Sequence, residues 1–578
     1  MRWLQQLPMK EWLGEYNRDT LASDLLAGLI VTIMLIPQSL AYALLAGVPA
    51  EIGLYASMLP LIIYALLGSS RTLSVGPVAV ISLMTASSIS AVTRDTGAEY
   101  LSAAVTLAML SGSFLMLLGF LRLGFMANFL SHPIVSGFIT ASGVIIALSQ
   151  FKHLLGIRAD GDSVIELGQT LLKHLGDTNP YTLGVGVSVL VFLFWARSGA
   201  ARLLTGFGVS AKVASLSAKA APAIGVIATI LISYLLGLEQ KHVALVGDIP
   251  SGLPGLSLPA IDADLLESLL VPAMLISIIG YVESVSVGKT LAARRKQRIK
   301  PNQELIALGA ANIGSAFSGA FPVTGGFSRS VVNFDAGAVT PAAGIYAAMG
   351  IALASQFLTP MLYFLPKATL AATIIVAVIA LIDLSVFRLA WRYARSDFYS
   401  VLVTVAVTLL YGVEIGVSCG VLTSLGLFLY RASRPHIAIV GLVEGTEHFR
   451  NVNRFKVKTC PHILSLRVDQ SLFFANAGNL EDEIYEEIYQ QGQIEHVILM
   501  CSAVNEIDLS ALEVLEDINQ RLQEQGIQLH LSEVKGPVMD ALQKSDFTAH
   551  LSGSIYLTQY AAFTELGRRY ENVETNTR

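Results

Sequence analysis

The stretch FPVTGGFSRSVVN, residues 321 to 333, places a permanent cation, Arg329, inside an otherwise apolar region. A charge at that depth is costly and marks a partner charge, an ion path or a substrate counter-ion. Pro322, Gly325 and Gly326 break the chain just before Ser328, so a helix is expected to begin there. Its first backbone N–H groups lack partners, and its dipole presents partial positive charge. Such an end attracts anions. Ser328 and Ser330 add hydroxyl donors, and Arg329 adds a charge that does not titrate away.

A second stretch has the same character. RTLSVGPVAVISLM, residues 71 to 84, sets Gly76 and Pro77 at the start of an apolar run. The two stretches are the third spans of their respective halves of the chain. Short Gly/Pro-interrupted segments in matching places point to a transporter site built from half-helices meeting at mid-membrane. Either segment alone is equally explained by the abundance of Gly and Pro in membrane helices.

Glu283, in IIGYVESVSVGKTLAARR, lies on a long apolar span with Lys289 six residues later. It is either a fixed structural partner for Arg329 or a group that takes up and releases a proton during transport. In MLIPQSLAYALLAGVP, Pro37 is expected to interrupt the helix, and Gln38 and Tyr42 then share one face. A Gln amide can donate to an oxyanion, and a Tyr can wall the cavity. Helix packing explains that pair as well.

These residues need a membrane scaffold. The chain has 578 residues, of which only 14% are charged, and a mean hydropathy of +0.60. Spans are expected at 24–46, 51–69, 74–90, 100–121, 131–151, 181–197, 220–238, 264–292, 303–320, 328–339, 341–364, 368–386, 397–411 and 413–431. Loops after even-numbered spans carry Arg71, Arg122, Arg197, Arg202, Lys212, Lys219, the run ARRKQRIK, Arg388, Arg392 and Arg395. Opposite loops carry Arg94, Lys152, Arg158, Lys173, Lys241 and Lys367. The bias predicts that both termini are cytoplasmic. MRWLQQLPMKEWLGEY reads as an amphipathic lead-in, with no signal-peptide core or cleavage pattern.

From about 437 the pattern changes. HILSLRV, HVILMCS and IQLHLSEV read as strands; NLEDEIYEEIYQQ and LSALEVLEDINQRLQEQ read as helices. Alternation of this kind gives a small α/β domain. Asp508 and Ser510 fit a helix cap. Cys419, Cys460 and Cys501 are too few and scattered for a disulfide framework or a zinc site. No basic tract suggests nucleic acid, and no nucleophile elbow, phosphate loop or metal-ligand cluster suggests an enzyme or a cofactor.

Three motifs together resemble the SulP family of sulfate permeases: GLYASMLPLIIYALLGSSRTLSVGPVAVISLM, NQELIALGAANIGSAFSGAFPVTGGFSRSVVNFDAGAVT and LRVDQSLFFANAGNLEDEI. The resemblance implies a helical membrane protein of fourteen spans in two inverted seven-span repeats, with core and gate subdomains, a cytoplasmic α/β STAS domain and a dimer. The corresponding divisions are a segment 1–21, a transport domain 22–436, a STAS domain 437–567 and a tail 568–578.

By motif, the resemblance implies an anion site formed by Gln38, Tyr42, Gly76, Pro77, Val78, Phe327, Ser328 and Arg329. Val78 stands where animal relatives often carry Phe. Glu283 matches an acid of proton-coupled members. Ser510 resembles a serine phosphorylated in anti-sigma-factor antagonists, although Ala511 stands where a Gly usually follows, and helix capping explains it as well. The expected function is a proton-coupled sulfate symporter of a bacterial inner membrane, working by alternating access as a homodimer. The alternatives are a sodium-coupled bicarbonate or C4-dicarboxylate transporter, or an anion-sensing receptor signalling through its STAS domain.

Overall fold

The computed structural model describes residues 8–574 except 15, 97–98, 126–131, 160, 162, 209, 211–213, 215–217, 219 and 260–261. Lys212, Lys219, the start of the N-terminal lead-in and the end of the tail lie outside the described residues. The chain forms two compact units, Met1–Ser424 and Leu425–Arg578.

A helix stands at every expected span. The first half holds α1 (Arg18–Leu45), α2 (Ala50–Leu67, with a turn at 56–58), α3 (Ala79–Thr96), α4 (Tyr100–Phe120), α5 (His132–Leu155), α6 (Pro180–Trp195) and α7 (Ala221–Leu236). The second holds α8 (Ala263–Arg294), α9 (Pro301–Phe317), α10 (Phe327–Ala336), α11 (Ala342–Phe357), α12 (Lys367–Ile379), α13 (Arg395–Tyr411) and α14 (Val413–Ser433). Among the described residues α1, α2, α4, α5, α8 and α14 are long and apolar enough to cross a bilayer. α3 and α10 are preceded by two-residue strands, β1 (Val75–Gly76) and β2 (Thr324–Gly325).

The halves repeat one packing scheme with roles exchanged. α4 lies against α8 and α9, while its counterpart α11 lies against α1 and α2. α5 packs on α12 and α13, while α12 packs on α5 and α6. Lipid gives helices no hydrophobic reason to associate, so close backbone approach carries the contact. Where α4 meets α9, a Cβ on Gly112 or on Gly309 would stand 2.7 Å from the other's carbonyl oxygen. At the counterpart meeting of α1 and α11, a Cβ on Gly28 would stand 2.7 Å from Tyr346 Cβ.

Three expectations change. α1 runs unbroken through Pro37: the ring removes one i to i−4 bond, but a 28-residue helix packed on α2 and α11 keeps the rest. The span expected at 341–364 stops at Phe357, and Thr359-Pro360 opens a separate turn, Thr359–Leu362. The span expected at 368–386 stops at Ile379. The N-terminal lead-in is docked, with buried Trp12 donating from Nε1 to Ala65 O at 3.3 Å.

The second unit is a six-stranded sheet, from β3 (Ile437–Leu442), β4 (Phe449–Asn451), β5 (Ile463–Val468), β6 (His496–Met500), β7 (Gln528–Ser532) and β8 (Ile555–Tyr556), in the order β4-β3-β5-β6-β7-β8. β5 to β8 run parallel, and β3 pairs antiparallel with β5. α15 (Ala477–Gln491) and α16 (Leu509–Glu524) cover the face carrying Leu464, Leu466, Val497 and Leu499; α18 (Gln559–Glu574), which follows α17 (Gly536–Leu542), covers the face carrying Ile463 and Ile498. The alternation follows from the two-residue side-chain period of a strand. Asp508 caps α16 by accepting from Ala511 N at 2.8 Å, and Ser510 is exposed in the first turn.

Under α18 two histidines share one proton arrangement. Ser554 N–H donates to His530 Nδ1 at 3.0 Å, so the ring hydrogen sits on Nε2, 3.1 Å from His496 Nδ1. Burial lowers both rings below their ordinary 6.5, His530 to about 4, with Arg569 adding to the effect on each. Tyr570, Tyr556, Glu495 and His462 complete the surround.

Two predictions follow from this packing. Gly309→Leu forces side-chain atoms into α4 and should lower stability by about 1–3 kcal/mol, read as a lower thermal unfolding midpoint in detergent; an unchanged midpoint would contradict the crossing. Because folding depresses the histidines, the unfolded state binds more protons below about 6.5. Protection of α18 amides against hydrogen exchange should therefore be full above that pH and fall as pH drops through about 4, with flat protection across that range as the contrary result.

Candidate anion-binding site

The site is built on β1 and β2. They pair antiparallel, Val75 opposite Gly325 and Gly76 opposite Thr324, and Gly326 N–H adds a bond to Ser74 O at 3.1 Å. Each strand turns almost at once into a half-helix, α3 from Ala79 and α10 from Phe327. The ladder therefore holds two helix N-termini together, with their unpaired N–H groups and positive dipole ends. At its other end α10 stops at Gly337, whose φ of 100° suits a residue without a side chain.

Hydroxyl and amide side chains staple this junction. Ser330 Oγ accepts from Ser74 N at 3.0 Å and donates to Gly326 O at 2.7 Å. Ser284, on α8, accepts from Gly325 N at 2.9 Å and meets Thr324 Oγ1 at 2.8 Å. Asn312, on α9, bonds both polar atoms of the Val323 backbone at 2.9 Å, and Asn333 Nδ2 donates to Thr72 O at 3.0 Å. Glu304 holds the chain leading into β1: its carboxylate accepts from Tyr64 Oη at 2.7 Å, Ser69 N at 2.8 Å, Ser69 Oγ at 2.6 Å and Ser70 N at 3.1 Å.

Arg329 folds back over the ladder and is only 2% exposed. A Cβ at Gly76 would stand 2.7 Å from its Nη1, and one at Gly326 would stand 2.8 Å from its Nε and Nη2. Glycine at both positions leaves the space that the guanidinium occupies. Nη2 donates to Thr324 O at 3.4 Å, whereas Nη1 is buried without a hydrogen-bond partner.

Glu283 Oε2 is also buried and unpartnered. No hydrogen bond or ion pair joins Glu283 to Arg329 among the described residues, so the fixed-partner reading fails, although the two are near enough to sense each other's charge. Tyr42, 9% exposed, lies within electrostatic range of both. Gln38 is half-buried on the same helix. Val78 is buried beside the start of α3, and Phe327 and Ser328 are exposed at the start of α10. The structure thus gathers Gly76, Pro77, Val78, Phe327, Ser328 and Arg329 at one junction, with Tyr42 and Glu283 within electrostatic range of Arg329. Ser330 is not a free donor, since its hydroxyl is spent on the junction itself. Ser284, Thr324, Asn312, Asn333 and Glu304 were missed in the sequence; their signal is a polar side chain in an apolar helix or just after a Gly/Pro break.

Chemically, a buried guanidinium with a spare N–H beside two helix N-termini has the donors and the positive charge to bind an anion. Among the described residues no three His, Cys, Asp or Glu side chains gather as a metal site. Gly76→Ala should displace Arg329 and weaken anion binding about tenfold or more, the scale of one charge-assisted hydrogen bond, measured by equilibrium binding of labelled sulfate; unchanged affinity would show that Nη1 is not part of the site.

The Sulfate permease family matches residues 21–404, and the STAS domain matches residues 454–562. Sulfate transporter 4.1, chloroplastic, of Arabidopsis thaliana is 35% identical over 546 residues, 92% of this chain and 78% of its own length. A probable sulfate transporter of Mycobacterium tuberculosis is 32% identical over 558 residues, covering 96% of this chain and 97% of its own. In fold, the structure of murine Solute Carrier 26 family member A9, an anion transporter in the inward-facing state, superposes with a TM-score of 0.87 at 24% identity, over 97% of this chain and 94% of that one. The relatives are named as transporters, not enzymes. On these matches the chain belongs to the sulfate permease family, as a membrane anion transporter that carries a STAS domain.

Proposed function

We propose that the protein is a proton-coupled sulfate symporter working by alternating access. The observation that carries this reading is the pair of orphaned buried atoms, Arg329 Nη1 and Glu283 Oε2, beside the paired N-termini of α3 and α10. Sulfate would sit against Gly76, Pro77, Val78, Phe327, Ser328 and Arg329, with Gln38 and Tyr42 walling the cavity. The relatives named as sulfate transporters supply the substrate class.

Glu283 would carry the coupling proton. An ionised carboxylate repels a dianion strongly at low dielectric, so a proton on Glu283 and a sulfate beside Arg329 favour each other. That mutual preference is a coupling free energy and is reciprocal. Ser284, the next residue, is bonded to β2 at Gly325 and Thr324, which gives a movement of α8 a direct path to the start of α10. The bias of Lys and Arg toward one set of loops supports cytoplasmic termini, and the same reading takes the protein as an inner-membrane homodimer with a STAS domain over 437–567.

In proteoliposomes, an inward proton gradient should drive accumulation of labelled sulfate. Glu283→Gln should abolish gradient-driven accumulation while retaining sulfate exchange. Arg329→Ala should lower sulfate affinity about 10- to 100-fold, the scale of a lost charge-assisted hydrogen bond. Accumulation by Glu283→Gln equal to the parent would remove proton coupling through this residue, and absence of sulfate flux in the parent would remove sulfate.

A further inference from the structure

An apolar opening on the membrane unit lies between α6 and α7, lined by none of the residues of the anion site. It is a groove of about 340 Å³ lined by Gly184, Ser188 and Phe192 from α6 and by Gly225, Thr229 and Ile232 from α7, among others. Small residues make it: a Cβ on Gly184 would meet nothing within 4 Å. Its hydroxyls are already satisfied by their own helices, Ser188 Oγ donating to Gly184 O at 2.7 Å and Thr229 Oγ1 to Gly225 O at 2.8 Å. The surface it offers is thus hydrocarbon in character.

Its length and its end suggest what fills it. From Gly184 to Phe192 α6 rises about 12 Å at 1.5 Å per residue, close to one leaflet of a hydrocarbon core about 30 Å thick. Just past Phe192 come Trp195, 47% exposed, and a π-helical turn, Ala196–Ala200. A half-exposed Trp is the mark of a headgroup boundary. The wide turn carries Arg197, and the short helix after it, Ala201–Gly206, carries Arg202; both arginines are exposed. Leu203 at 48% and Phe207 at 80% exposure stand beside them, so this end of α6 has the basic and apolar mixture of a segment lying in the interface.

We propose that the α6–α7 groove binds one acyl chain of an anionic glycerophospholipid, with its phosphate held by Arg197 and Arg202. α6 and α7 touch each other and both pack on α12, so the bound chain fills the groove left beside their contact. Ordinary annular lipid would fill the groove without regard to headgroup. An arginine near an anionic headgroup adds a preference of about fivefold.

The test uses the full-length protein in phosphatidylcholine bilayers containing trace chain-spin-labelled phosphatidylglycerol or phosphatidylcholine, reading the immobilised fraction by electron paramagnetic resonance. The parent should immobilise phosphatidylglycerol about fivefold more than phosphatidylcholine for each arginine engaged. Arg197→Gln with Arg202→Gln should lose that preference, and Arg197→Lys with Arg202→Lys should keep it. Gly184→Leu should reduce immobilisation of both lipids by filling the groove. Equal immobilisation of the two lipids by the parent, or a preference unchanged in the double Gln variant, would mean annular lipid only and overturn the proposal. The readout is independent of sulfate flux, so its failure leaves the transport reading untouched.

Discussion

The structure depends on one buried guanidinium. Arg329 is nearly inaccessible, has one N–H without a partner, and lies so close to Gly76 and Gly326 that a side chain at either position would displace the guanidinium. Burying an incompletely paired charge costs several kcal/mol, a cost that a merely structural residue would avoid. The backbone around it is correspondingly over-determined. A two-residue ladder fixes the strands, and Ser284, Ser330, Asn312 and Asn333 bind them from three helices. Without that frame the N-termini of α3 and α10 would not be held side by side, and their dipoles would not add at one place.

Three carboxylates in the membrane unit show what is scaffold and what is mechanism. Glu304 accepts from Tyr64, Ser69 and Ser70, and Asp24 accepts from Val339 N at 2.7 Å, Thr340 N at 3.1 Å and Thr340 Oγ1 at 2.5 Å. One fixes the chain entering β1, and the other fixes the chain leaving α10. Both are saturated with donors, as buried charges in a static frame must be. Glu283 has a buried oxygen with nothing bonded to it. Of these three carboxylates, Glu283 is the one whose change of protonation would break no hydrogen bond at that oxygen. Arg295 extends the same frame, donating to Ala338 O and Phe334 O at the far end of α10, so α8 grips α10 at both ends.

Much of this was legible in the sequence because it rests on signals that do not need the fold. Apolar runs located the fourteen spans, though not the short helices Val164–Lys173 and Ser385–Tyr393 between them, and the Gly/Pro breaks at 76–77 and 322–326 marked both half-helices. Arg329 stood out through its charge alone. What the sequence did not show depends on three-dimensional pairing: that Ser330 is consumed by Ser74, that Glu283 and Arg329 are neighbours without being bonded, and that Pro37 leaves α1 intact. Helix ends moved where Pro360 opened a new turn and where α12 stopped at Ile379. In the second unit, β5, β6 and β7 were visible as apolar runs, whereas β8 is two residues long and β4 three, too short to carry a periodicity.

The inverted arrangement explains why such a small junction can serve a whole transporter. Glycine contacts join α4 to α9 and α1 to α11, while α5 and α12 form a separate packing centre. The most direct measurement is a crystal soaked in selenate, whose anomalous signal locates the anion without reference to flux. A peak within hydrogen-bonding distance of Arg329 Nη1 and the first N–H groups of α10 is the expected result. A selenate peak elsewhere in the membrane unit, with that junction empty, would contradict an anion site built around Arg329.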